Sequence, residues 1–485
     1  MTTVLFFPDK LTKKIFFRNK EIIFFDNFGV EKYNNKKKQR DFFVPTINEK
    51  NYDIFKYFNE VELITIIRSW GPVLSREIDR GDQFELQIRD ILIKFYEIST
   101  FLIREKVNLS ILFTANPHHL SSLVFDLACR KCDVKLIYLE NLNSIINKAE
   151  KLLIPFFHKK KFMNKEVLNL KFSNFKINKE IETIKKNLKD WREKKYNRIP
   201  HVDELFYSEN YFLSSIRIFL FYSYSFLRRN ISIHKKKIYF DFKQYSIFTY
   251  LKQTLGQYRA IKFYKKNYIN INSINKKNKY ILIVASYQPE GTSYPEGRNY
   301  NNHIEIISKI RKKGYKGVIY YKEHKDSQFY YLKMVQGTKV GIARSVDYYK
   351  DLQKLGCKFL PYNYSVQNKK FLQCFLPVTI SGTISLERSL QGLKTIYCGY
   401  PWYKGLSGTI HLDDVSLKLD KLNKSFFINN KQQAINATFF LKKLLNNKTI
   451  INYPGKGLEN TKSNLKDEES YKLSIMKIIK YFNRK

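Results

Sequence analysis

Short apolar runs, each followed by a polar loop and then a stretch with helical spacing, set the limits on how this chain folds. The series is plainest in the C-terminal half, where Tyr280 to Ser286 (YILIVAS) reads as a strand buried on both faces. The loop QPEGTSYPEGRNYNNH follows, then a helix over Ile304 to Lys313 that ends at Gly314, a residue suited to a helix C-terminus. Further strands are predicted at Gly317–Tyr321, Lys358–Leu360, Pro377–Ile380 and Thr395–Gly399, with a helix over Ile384 to Gln391. The N-terminal half repeats the pattern once clearly. There LSILF (Leu109–Phe113), the loop TANPHH, a helix over Leu120–Cys132 and VKLIYL (Val134–Leu139) make a βαβ unit, preceded by helical spacing from Phe84 to Val107. Such alternation predicts an α/β protein with parallel sheets, whose ligands sit at the carboxyl ends of the strands.

The two regions divide the 485 residues into an N-terminal domain, 1–272, and a C-terminal domain, 280–450. A basic, Lys- and Asn-rich helical insertion spans about 147–272, a polar linker 273–279, and a helical tail 451–485. No internal repeat at a fixed period is present.

Lys and Arg number 87 against 44 Asp and Glu, a formal charge of +43, which favours an anionic partner. The abundance of Lys, Asn, Ile, Phe and Tyr also matches what an AT-rich genome produces. Five cysteines in a chain this long exclude a disulfide scaffold. Cys129 and Cys132 form a lone C-x-x-C in an apolar helical run, where cysteine ordinarily serves as a small buried residue. No cleavable signal and no long uncharged apolar run is evident, so the chain reads as cytoplasmic. Tyr211 to Leu227 (YFLSSIRIFLFYSYSFL) comes nearest, interrupted by Arg217 and closed by Arg228 and Arg229. It reads as a core helix or as an interfacial helix on an anionic membrane surface.

Three loops at predicted strand ends carry the polar residues that could do chemistry. Gln288-Pro289-Glu290-Gly291 through Glu296 fixes its backbone with Pro and Gly while presenting two glutamates; an ordinary turn would look the same. Tyr321-Lys322-Glu323-His324 places a cation, a carboxylate and an imidazole at a strand end. Alternation puts Lys322 and His324 on one face, where both can donate to phosphate oxygens. Ser381-Gly382-Thr383-x-x-x-Glu387 turns from strand directly into helix. That offers free amides to a phosphate at Gly382 and brings Glu387 within reach of a sugar hydroxyl, although plain capping by Ser381 or Thr383 fits as well. Neither a Walker A loop nor a G-x-G-x-x-G fingerprint is present, and zinc-protease, serine-hydrolase, kinase and EF-hand motifs are missing. Without a D-x-D pair, and with scattered histidines, no metal and no cofactor is expected.

In their order these loops resemble bacterial capsule and surface-polysaccharide biosynthesis proteins, a family that includes the Kdo transferases. The matching stretches are QPEGTSYPEGRNYNNH (Gln288–His303), YYKEHKD (Tyr320–Asp326) and TISGTISLERSLQGLKTIYCGYPWY (Thr379–Tyr403), with NPHH (Asn116–His119) a weaker fourth. The resemblance implies a GT-B architecture, two Rossmann-like domains with parallel sheets facing across a cleft. It also implies a CMP-linked acidic sugar as donor, held mainly by the C-terminal domain. Lys322 and His324 would then contact the CMP phosphate or the sugar carboxylate. Ser381 and Thr383 would bind phosphate, Glu387 would reach the ribose, and Gln288 and Glu290 would lie beside the reacting sugar. One departure stands out: the family carries His-Pro in the second motif, and here Lys325 follows His324.

Transfer of a sugar from a nucleotide needs a carboxylate near the anomeric carbon and compensation of charge on the departing phosphate. Glu290 is the first candidate for that carboxylate and Glu296 the second. The expected function is a glycosyltransferase acting on a glycan or lipid-linked acceptor, peripheral to the inner membrane. A non-catalytic scaffold of glycan assembly is the alternative. A basic nucleic-acid-binding protein is the third reading, with no RRM, KH, helix-turn-helix or zinc-finger signature to support it.

Overall fold

A computed structural model describes residues 2–26, 29–46, 58–59, 84–113, 120–141, 151–157, 247–275, 277–286, 302–324, 344–364, 374–399, 403–415, 426–445, 451–453 and 465–484, with single positions 216, 220, 297, 300, 327 and 401. The described strands form two sheets, one of eight strands and one of six.

The first sheet is built around β1 (Thr2–Phe6), whose apolar run is buried on both faces. Parallel to it lie β2 (Ile22–Asp26) on one side and β5 (Val107–Leu112), then β6 (Lys135–Asn141), on the other. Antiparallel strands extend both flanks: β3 (Gly29–Asn34) and β4 (Gln39–Phe43) beyond β2, and β7 (Lys151–Phe157) and β14 (Ile451–Tyr453) beyond β6. The sheet is therefore mixed, with a parallel centre, where an all-parallel sheet was expected. Helix α1 (Lys10–Ile15) follows β1, its N-terminus capped by the Asp9 carboxylate, which accepts from the Thr12 amide at 2.7 Å.

Each face of this sheet has its own cover. Val4 and Phe6 pack against Phe95, Ile98 and Phe101 of α2 (Phe84–Arg104) and Leu123, Val124 and Phe125 of α3 (Leu120–Lys131). Leu5, Phe24, Leu109 and Ile137 pack on the other side against Tyr471, Ile475, Ile478 and Ile479 of the last helix (Leu465–Arg484). The segment 451–485, read as a tail from sequence, thus supplies one strand and one helical layer to the first sheet. Cys129 belongs to the α2–α3 core and the Cys132 thiol donates to the Ser99 carbonyl at 3.7 Å, so the C-x-x-C packs as ordinary core.

Arg40 staples the β2–β3–β4 flank. Its guanidinium lies 3.8 Å from the Phe24 ring centroid and donates to the carbonyls of Phe16, Phe17, Asn19, Ile22 and Glu31 at 2.8–3.2 Å. Lysine cannot reproduce a planar fork that reaches five acceptors. Arg40→Lys is expected to lose about 2–3 kcal/mol of stability, read as a lower urea midpoint with an unchanged slope.

The second sheet is wholly parallel. It comprises β8 (Tyr280–Val284), β9 (Ile319–Lys322), β10 (Cys357–Leu360), β11 (Phe375–Thr379), β12 (Thr395–Tyr397) and β13 (Thr409–His411), in the order β10-β9-β8-β11-β12-β13. Counted along the chain this is the doubly wound order 3-2-1-4-5-6, in which the winding reverses between β8 and β11. Ile281 and Ile283 face a core with α4 (Ile247–Lys266), α5 (His303–Lys312) and α6 (Val346–Lys354), while Tyr280 and Leu282 face the opposite cluster. α4 precedes the 273–279 segment yet packs on this sheet through Ala260, Ile261 and Tyr264. Pro377 lies inside β11 although proline usually opens or edges a strand. It is tolerated because pairing with β12 begins only at Val378.

Candidate functional site

Because all six strands of the second sheet run the same way, their carboxyl ends share one edge. The adjacency β9-β8-β11 puts the strand ends that lead into the three chemistry-bearing loops side by side on that edge, around the point where the winding reverses. An open α/β sheet parts its loops there and leaves a crevice for a ligand.

The first loop leaves β8 after Ala285 and Ser286. Gln288, Glu290 and Glu296 lie outside the described residues, as does Asn116–His119 in the first sheet. The far end of the loop is described. Gly297 accepts the Tyr300 amide at 2.7 Å, and the Tyr300 hydroxyl is bound to Asp413 and Lys309. Burial and then the Asp413 carboxylate push that hydroxyl up to about 12.

At the end of β9 the sequence pattern is rearranged by burial. Glu323 is wholly enclosed, and its carboxylate is the hub of a polar cluster. One oxygen accepts from the Tyr321 and Tyr349 hydroxyls at 3.0 Å each and from Arg344 Nε. The other accepts from Arg344 Nη2 at 3.1 Å, the Ser327 hydroxyl at 3.3 Å and the His324 amide at 2.9 Å. Burial alone would push this carboxyl up; the Arg344 charge and hydrogen bonds outweigh it and hold it at about 2. Lys322 is 7% exposed, its ammonium 3.4 Å from the Glu323 carbonyl, and His324 is half-buried. Lys322 and His324 therefore flank a carboxylate that belongs to the interior.

Arg344 and His303 were not legible as members of this cluster. Arg344 lies 21 residues from Glu323, just ahead of the Ser345 cap of α6, and no spacing rule links the two. His303, at the start of α5, is fully buried and neutral: burial and then the Arg344 charge bring its imidazole down to about 3.

The third loop follows β11. Thr383 has helical backbone angles and makes no side-chain cap, and the helix α7 (Ile384–Ser389) has six residues, shorter than the Ile384–Gln391 expected. A six-residue helix has a small dipole, so its terminus alone is a weak anion site. Gly382 donates its amide to Thr379 Oγ1 at 3.2 Å and accepts from the Tyr403 hydroxyl at 2.8 Å. A Cβ on Gly382 would meet Thr379 Oγ1 at 2.6 Å, so the closeness that requires glycine here is to Thr379. Ser381 and Thr383 are half-buried, while Glu387 is 7% exposed.

These features define an α/β protein with a doubly wound second sheet and polar residues at the strand ends beside its switch point. No protein-family model matches the chain, and no curated protein matches it. Among solved structures it is similar to KpsC, the β-Kdo 2,7-transferase of Thermosulfurimonas dismutans. That likeness has 11% identity over 79% of this chain and 87% of the other, with a TM-score of 0.30. It is also similar to the UDP-GlcNAc 2-epimerase of Methanocaldococcus jannaschii, at 12% identity over 92% and 100% of the two chains with a TM-score of 0.22. The Rickettsia bellii UDP-N-acetylglucosamine 2-epimerase gives 11% identity, 92% and 96% coverage, and a TM-score of 0.21. The fold class stands on the strand order, and the family resemblance stands on the motifs.

Proposed function

We propose that this protein is a glycosyltransferase of capsule or surface-polysaccharide synthesis that takes its sugar from a nucleotide donor, an acidic sugar linked to CMP being the first candidate. The observation that carries this reading is the adjacency of β9, β8 and β11, whose carboxyl ends lead into the three motif loops on either side of one switch point. In the proposed reaction an acceptor hydroxyl attacks the anomeric carbon and the bond from that carbon to the phosphate oxygen breaks. Glu290, or Glu296 in its place, takes the hydroxyl proton. Lys322 and His324, with the hydroxyls of Ser381 and Thr383, offset the charge on the departing phosphate, a role that in enzymes typically accounts for about 10²–10³ in rate per donor. Gln288 lies beside the reacting sugar and Glu387 beside the ribose in this scheme.

The acceptor is a glycan or a lipid-linked glycan, and the enzyme works from the cytoplasmic side as a peripheral protein. Supporting that placement are the charge of +43 and the exposed, helical Ile216 and Leu220 within the aromatic stretch 211–227, at 41% and 62% exposure. Among the described residues no helix is long and apolar enough to cross a membrane. Lys325 in place of the family's proline favours one second reading, a non-catalytic scaffold of the same assembly.

Calorimetry at moderate salt with CMP, UMP, GDP and a single-stranded oligonucleotide tests the proposal. Selective CMP binding is expected, weakened about tenfold by Ser381→Ala or His324→Ala, a loss of about 1.4 kcal/mol. A folded protein that binds no nucleotide overturns the site assignment and leaves the scaffold reading.

A further inference from the structure

The carboxylate that the sequence presents between Lys322 and His324 has its own task. Six donors converge on Glu323, and one of them is the backbone amide of the next residue, His324, at 2.9 Å. A side chain that holds the following amide fixes the turn between the two residues, and with it the direction in which the histidine leaves the strand end. The amide of Glu323 itself is held by the Tyr264 hydroxyl at 3.0 Å, which also donates to the Leu360 carbonyl of β10 at 2.7 Å. The turn is thereby tied to α4 and to the neighbouring strand.

The same cluster reaches the first loop. His303 Nδ1 lies 3.0 Å from the Tyr348 hydroxyl, which lies 3.3 Å from the Tyr321 hydroxyl, which donates to Glu323 at 3.0 Å. Tyr321 gives its proton to the carboxylate and so stands as an acceptor toward Tyr348, with His303 the third member of the relay. The His303 Nε2 is buried without a hydrogen-bond partner among the described residues. His303 opens α5 directly after the loop of Gln288, Glu290 and Glu296.

We infer that Glu323, clamped by Arg344 and by the hydroxyls of Tyr321 and Tyr349, is the positioning residue that sets His324 at the strand end, and that His303 ties the start of α5 to it through Tyr348. The inference rests on the proposed role of His324 toward the donor phosphate. Arg344 and Glu323 act through His324 and touch no ligand. Their mutual charge lets a carboxylate serve as the hub without leaving net charge in the interior.

The test follows His324 itself. Its ring resonances, assigned by their loss in His324→Gln, are followed with pH in carbon-13 NMR, alongside CMP affinity by calorimetry. Glu323→Gln is the direct variant. Tyr349→Phe removes one donor without altering charge and serves where Glu323→Gln fails to fold. Asp126→Asn breaks the Asp126–Arg130–Tyr138 cluster around the buried Asp126 carboxylate, beside the first sheet, and controls for loss of stability alone. In either Glu323→Gln or Tyr349→Phe the His324 resonances and their midpoint are expected to shift and CMP affinity to fall at least fivefold, with neither change in Asp126→Asn. Variants that fold and lose thermal stability but keep the wild-type His324 resonances, midpoint and affinity overturn the inference. If the wild-type protein binds no nucleotide, the function proposal falls, and the His324 resonances alone decide the positioning role.

Discussion

Replacing Arg344 by methionine is expected to reverse the sign of what Glu323 contributes to stability as the pH falls. In the wild-type protein the Glu323 carboxyl sits at about 2 when folded, against 4.5 for an unperturbed group. A depressed carboxyl contributes stability that is fully present above its unfolded value and is lost as pH falls through the folded one. That window, from about pH 5 down to about 2, carries about 3 kcal/mol. His303 acts in the same sense. Its imidazole is at about 3 when folded against 6.5 when free, so acid favours the unfolded chain there too. Among the described residues the other groups facing the pair are the phenols of Tyr264, Tyr321, Tyr348 and Tyr349 and the Ser327 hydroxyl, which do not titrate in this range, with Lys322 and His324 flanking Glu323 along the chain.

Without the guanidinium, burial is the dominant influence on Glu323 and drives its carboxyl above 4.5. An unpaired buried charge then costs about 3–5 kcal/mol near neutrality. Protonation relieves that cost, so the variant gains stability from this group as pH falls toward 5. Urea unfolding followed by far-ultraviolet circular dichroism between pH 7.5 and 4.5 measures both. The expected result is a midpoint that falls on acidification for the wild type, through His303, and falls less steeply or rises for Arg344→Met, where proton uptake by Glu323 opposes it. Parallel profiles, offset by a constant, would show that Arg344 does not set the protonation of Glu323.

Why this pair escaped a reading of the sequence is instructive. Alternation along Tyr321-Lys322-Glu323-His324 correctly separates Glu323 from its neighbours, but it implies a polar side only if one side of the strand faces water. β9 lies between β8 and β10, with the Tyr321 and Tyr320 faces both covered, so the carboxylate had to meet a cation inside. That cation comes from a different loop. By contrast, the strands of the second sheet are legible because burial on both faces yields unbroken apolar runs, and YILIV and FLPVT are read within two residues of their observed bounds. TTVLF and IIFFD have the same character, yet the helix between them is six residues long, too short for a periodicity to mark a βαβ unit. At Gly382 the close neighbour is Thr379 Oγ1, which the sequence did not indicate, because sequence shows that a side chain is missing and not what fills the space.

The longest-range feature of the fold also gives the second large effect. The last helix, named α9 here after α8 (Lys431–Leu445), buries Tyr471, Ile475, Ile478 and Ile479, spaced so that all four lie on one face. They cover Leu5, Phe16, Ile22, Phe24, Leu109, Ile111, Ile137 and Leu139 of the first sheet and its α1 flank. The Tyr471 hydroxyl shares a buried hydrogen bond of 2.8 Å with Thr12, across 459 residues of chain. Four such side chains contribute about 6–12 kcal/mol by burial, which is comparable to the whole stability of a typical domain. A chain ending at Tyr453 is therefore expected to lose protection throughout β1, β2, β5 and β6 in amide hydrogen exchange, or to aggregate through the uncovered face. The milder Ile475→Ala should cost about 2–5 kcal/mol and lower protection in the same four strands first. Since β8 to β13 have their own covering helices, their amides should exchange at near wild-type rates in Ile475→Ala. Equal loss in both sheets would mean that the two unfold as one cooperative unit, and retained protection of β1 in the shortened chain would show that α9 is not the cover of the first sheet.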